Sequence, residues 1–114
     1  MPGRFYLVTR GDLPPGTQAC QAAHAAVEFA LTFPDIANTA PVVVLLAASD
    51  ELSLSWLRAD AVTAGLRITS FHEPDLGDAL TAIALEPAGR RLVAGLPLAL
   101  AGSLTPTCRG EVRT

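Results

Sequence analysis

RFYLVTRGDLPPGTQACQAAHAAVEFALTF, residues 4–33, decides the fold, because its apolar pattern changes character once. Arg4–Thr9 is β-branched and aromatic and stops at Arg10-Gly11-Asp12, which reads as a strand feeding a turn. Pro14-Pro15-Gly16-Thr17 breaks the chain. Thr17 is expected to cap an alanine-rich helix running from Gln18 to about Phe33 and ending near Pro34. On that helix Thr17, Gln21, His24 and Glu28 fall on one stripe, while Ala19, Ala22, Ala23, Ala26, Val27 and Ala30 form the other side, small enough to pack closely on a sheet.

Outward from this unit the alternation continues. Pro41–Ala48 (PVVVLLAA) is a short unbroken apolar run, the pattern of a central strand covered on both faces. Ser49-Asp50-Glu51 offers a cap and acidic first-turn residues for a second helix that reaches Ala64 and is closed by Gly65. Leu66–His72 alternates as a strand, Glu73–Asp78 is turn-rich, and Ala79–Leu85 is a fourth strand. Ala88–Leu98 reads as a final helix interrupted by Gly and Pro, and residues 101–114 as a loose tail. Strands alternating with helices predict one α/β domain over residues 1–100, in three α/β/α layers.

The bulk numbers narrow the functional classes. Half of the 114 residues are apolar and 17% are charged, which suits a folded core. No apolar run is long enough to span a bilayer, and the two cysteines, Cys20 and Cys108, do not suggest a disulfide framework, so a cytoplasmic, reducing compartment is expected. The net charge of −3 and the absence of lysine argue against a general polyanion binder. Arginine still offers a planar fork for phosphate.

Chemistry is best sought at the first strand-turn-helix junction, where a helix N-terminus near Gly16-Thr17 could receive an anion. The spelling from Gly11 to Gln18 is not a P-loop, since the lysine is missing and two prolines remove N–H donors. Gln21 and His24, one turn apart, could orient a water, a hydroxyl or a phosphate; the plain alternative is a histidine satisfied at a packed interface. Cys20 and His24 alone do not fill a zinc site. His72-Glu73-Pro74-Asp75 follows a strand's carboxyl end, where an acid can be a general base, an acceptor or simply part of a polar turn. Asp12 can cap the Arg10–Leu13 turn, Arg58 and Arg67 suit a solvated face, and Trp56 suits core or interface more than base stacking.

The order Leu7-Val-Thr-Arg-Gly-Asp-Leu13, then Gly16-Thr-Gln-Ala-Cys-Gln21-Ala-Ala-His24-Ala-Ala26, resembles the class II peptidyl-tRNA hydrolase family, whose first strand ends in Arg-x-Asp-Leu and whose helix carries Gln-x-x-His-Ala. Val42–Ala47 as the second strand, Ala64-Gly65-Leu66 as the turn into the third and Leu80–Pro87 as the fourth continue the resemblance. It implies a four-stranded mixed sheet, a homodimer, no cofactor or metal, and hydrolysis of the ester joining a peptide to the tRNA 3′ end. It implies His24, Glu73 and Thr81 as catalytic residues and Gln21 as a substrate-binding one, with Glu73 standing where the family has an aspartate; Gly16 and Thr17 at the helix N-terminus, and Arg10 beside the first strand, are added as substrate-binding candidates for a phosphate. Two departures accompany it: Thr17 stands where the family has lysine, and the loop before the last strand is shortened to Glu73–Asp78. The shortened loop resembles the peptidyl-tRNA hydrolase domain-containing branch. Alternatives are a non-hydrolytic relative that binds tRNA ends or phosphate, and a dimeric interaction module.

Overall fold

The computed structural model describes residues 3–101. The chain runs β1 (Arg4–Arg10), α1 (Pro15–Thr32), α2 (Pro34–Ala37), β2 (Val42–Ala48), α3 (Glu51–Thr63), β3 (Ile68–Glu73), a 3₁₀ turn (Pro74–Leu76), β4 (Ala79–Leu85), a second 3₁₀ turn (Pro87–Gly89) and α4 (Arg90–Val93). The four strands form one mixed sheet in the order β2-β1-β4-β3. β1 pairs in parallel with β2, and β4 lies antiparallel to β1 and β3. The carboxyl ends of β1, β2 and β3 therefore meet the start of β4 at one end of the sheet, where α1 and α3 also begin.

Strand alternation sorts side chains into two apolar layers. Phe5, Leu7, Ala82 and Ala84 meet Ala22, Ala25 and Phe29 of α1 on one face. Tyr6, Val8, Leu46, Ile83 and Leu85 meet Leu54, Leu57 and Ala61 of α3 and Val93 of α4 on the other. The arrangement is the expected α/β/α sandwich around a four-stranded mixed sheet.

Both ends of α3 follow the sequence signals. Asp50 caps it by accepting from the Ser53 amide at 2.8 Å. At the other end Gly65 takes φ +74, and the Leu66 amide bonds back to the Ala61 carbonyl at 3.0 Å, a Schellman closure.

Four expectations are corrected and a fifth is narrowed. α1 starts at Pro15 after Pro14, with no side-chain cap, so Thr17 lies in the first turn; proline preset for helical φ opens the helix unaided. The buried face of α1 is Gln18, Gln21, Ala22, Ala25 and Phe29, leaving Ala19, Ala23, Val27 and Ala30 exposed. β2 is an edge strand, with Val42 and Val43 more than half exposed. An apolar run reports what covers a strand's faces, not whether both edges are paired; the outer edge of β2 is bridged only in part, by Ala47 N–H to Pro97 and Ala99 N–H to Leu45, each 3.0 Å. The helix expected over residues 88–98 shrinks to α4, because Gly95 and Pro97 do not prolong it. Of the core or interface expected for Trp56, the core is excluded: the side chain is exposed and belongs to no core cluster. The tail from residue 102, including Cys108, lies outside the described residues.

Candidate functional site

A β-bulge builds the site. Along β3 and β4, Phe71 pairs with Ala82 and the next residue, His72, pairs with Leu80, so Thr81 is the extra residue on β4. Without the bulge Thr81 would share the face of Ile83 and Leu85, toward α3. With it, Leu80 joins the α3-side core and Thr81 turns toward α1. The Leu80 amide, displaced from the ladder, donates to Glu51 Oε2 at 2.9 Å.

Three side chains from three elements then form one chain of hydrogen bonds. Thr81 Oγ1 donates to Gln21 Oε1 at 2.7 Å, and Gln21 Nε2 donates to Glu73 Oε1 at 2.9 Å. Thr81 can alternatively donate to the Phe71 carbonyl at 3.3 Å. Glu73 Oε2 accepts the Asp75 amide at 3.1 Å as the chain leaves β3 for its 3₁₀ turn. The Gln21 bond, then the Asp75 amide and the nearby His24, hold the Glu73 carboxyl below its ordinary range, against a smaller opposing effect of desolvation. Each carboxylate oxygen retains room for a second donor. His24, one turn after Gln21, is exposed and lies flat on Phe71, with ring centroids 4.3 Å apart and planes 6° apart.

Gln21, His24, Glu73 and Thr81 are thus gathered at the carboxyl edge of the sheet, where open α/β sheets place ligand crevices. Their access differs. Thr81 and Gln21 are buried; Glu73 and His24 are the members that solvent reaches. Gly16 and Thr17 open the same helix a little over one turn earlier.

Arg10 is not brought to this chain. Continuing the alternation of Tyr6 and Val8, it points to the α3 side, where Nε and Nη2 bond the two oxygens of Asp12 at 3.0 and 2.8 Å and Nη1 lies 3.9 Å from Glu51. Bonding to Asp12 raises the Arg10 pKa and lowers that of Asp12. Arg58 donates to Ser70, and Arg67 pairs with Asp35. No group of three metal-ligating side chains forms among the described residues.

Sequence reading missed Gln18 and Phe71. Gln18 Nε2 donates to the carbonyls of Leu13 at 2.7 Å and Gly11 at 3.3 Å, tying down the β1–α1 loop. Its position three residues before Gln21 was the available signal, since both then face the sheet. Phe71 was detectable only as a strand residue sharing Glu73's face.

These elements define a small α/β/α domain with a carboxylate held ready on the α1 side. No protein-family model matches the chain, and no curated protein matches it. Among solved structures it is similar to a protein of unknown function from Agrobacterium tumefaciens strain C58, with a TM-score of 0.67 over 86% of this chain and 98% of that one, at 11% identity. At that identity the likeness concerns the fold.

Proposed function

We propose that this domain is a class II peptidyl-tRNA hydrolase-like esterase acting where a peptide or N-blocked amino acid is joined to the tRNA 3′ end. The observation that carries the reading is the Thr81–Gln21–Glu73 chain, because it joins the glutamine of the Gln-x-x-His motif to a carboxylate at a solvent-reached edge, with His24 one turn away. Glu73 holds a water, which attacks the ester carbonyl carbon while its proton passes to the carboxylate. The bond to the ribose 3′ oxygen breaks, and the proton is returned to that oxygen directly or through His24. The products are a free acid and a tRNA hydroxyl. The Gly16 and Thr17 amides at the start of α1 offer donors for a terminal phosphate.

Release of N-acetyl-phenylalanine from its tRNA by the purified chain tests this. Glu73→Gln keeps the shape and removes the base, and a fall of about 100-fold or more is expected. If the unaltered protein leaves the ester intact while a class II hydrolase cleaves it, the reading fails.

A second reading, a relative that binds tRNA ends without cleaving them, is favoured by Thr17 in the lysine position and by Arg10 being tied to Asp12 and Glu51. It is distinguished by saturable binding of deacylated tRNA without turnover.

A further inference from the structure

Along α1 a groove of about 480 Å³ is lined by Cys20, Ala23, His24, Val27 and Glu28 of the helix and by Phe71 of β3. Its walls are the stacked His24 and Phe71 rings and the 60% exposed Val27. Phe71 and Glu73 are two residues apart on one face of β3, a separation of about 6.5 Å. That matches the reach of one large side chain from an ester carbonyl placed at Glu73. An exposed valine in isolation needs no explanation, but here it shares a groove with the His24–Phe71 pair, and Phe71 lies two residues before the carboxylate.

We infer that this groove receives the large apolar or aromatic side chain of the acylated residue, so that the site selects N-blocked phenylalanine-like esters over glycine ones. The inference rests on the esterase reading for its chemistry, but not for its binding. A ring entering the groove meets Val27 and Ala23 on one side and the edge of the His24–Phe71 stack on the other. A glycine ester reaches none of these. Glu28, at the far rim, disfavours acidic side chains by like-charge repulsion.

Two measurements separate the groove from the reaction. N-acetyl-phenylalanine amide and N-acetyl-glycine amide, which present no ester, are titrated into the full chain while the imidazole resonances of His24 are followed by NMR. The aromatic probe is expected to bind about tenfold more tightly. Val27→Asp, at an exposed position where the fold tolerates a charge, is expected to erase that preference. The same pair of acyl groups is then compared as tRNA esters. Selective amide binding without ester cleavage leaves the groove standing and defeats the esterase reading. Cleavage of both esters at equal rates, with amide binding indifferent to the ring and to Val27→Asp, overturns the groove and leaves the esterase intact.

Discussion

Against α3 and α4 the sheet presents Tyr6, Val8, Leu46, Leu80, Ile83 and Leu85, and the helices answer with leucine, alanine and valine. Against α1 it presents Phe5, Leu7, Ala82 and Ala84, and all five buried polar side chains among the described residues, Thr9, Gln18, Gln21, Thr69 and Thr81, belong to this layer. Thr69 donates to the Ala25 carbonyl at 3.2 Å and Thr9 to the Gln18 carbonyl at 3.4 Å, so hydroxyls reach the helix backbone itself. Alanines at 22, 25, 82 and 84 make that possible by letting helix and sheet approach. One layer supplies apolar volume; the other spends its interior on fixing directions. The Glu73 carboxylate is aimed from the second, by an amide side chain that is itself held in the interior.

The sharpest separation of the two layers comes from Leu54→Ala. Leu54 is fully buried under the sheet on the α3 side, and its truncation is expected to cost about 2–5 kcal/mol in urea unfolding. Ester cleavage per folded molecule should stay unchanged. If the rate falls along with stability, the layers are coupled and the division is wrong.

Thr81→Val probes the other layer with nearly the same volume. It strips Gln21 Oε1 of its donor and should cost about 1–3 kcal/mol, less than the leucine deletion, while lowering cleavage because Gln21 loses its anchor. Thr81→Ser keeps the hydroxyl and should restore much of the rate. Equal rates in the valine and serine variants would show that the Thr81 bond does not position the site.

The sequence made most of the elements legible, since periods, prolines and Gly65 mark strand and helix limits directly. It also placed Gln21 and His24 correctly one turn apart. What it could not show is which face Thr81 occupies: the bulge arises from how β3 and β4 register against each other, and no residue of Leu80-Thr81-Ala82 announces it. The side on which Arg10 lies is legible from its alternation with Tyr6 and Val8. β2 looked central because Pro41–Ala48 is apolar throughout, whereas among the described residues its outer edge is bridged only by Pro97–Ala99, a contact distant in sequence.

The smallest expected effect is electrostatic and tests whether Gln21 acts on Glu73 or only fills space. The folded-state pKa of Glu73 lies below its ordinary value of 4.5, first because Gln21 donates to it. A depressed carboxyl contributes stability that is fully present above the unfolded pKa and is lost as pH falls through the folded one. Gln21→Met removes that donor at similar length and leaves the Asp75 amide in place, so the Glu73 pKa should rise toward 4.5 in a carbon-13 NMR titration. The stability gap between the two proteins should be constant above about pH 5.5 and narrow at lower pH, where the carboxyl is protonated in both. Asp12 and Asp35, also depressed by their arginine partners, shift both curves alike and cancel in the difference. Parallel curves with an unmoved Glu73 titration would mean that the amide is packing, and that the carboxylate is held ionised by the backbone of its own turn.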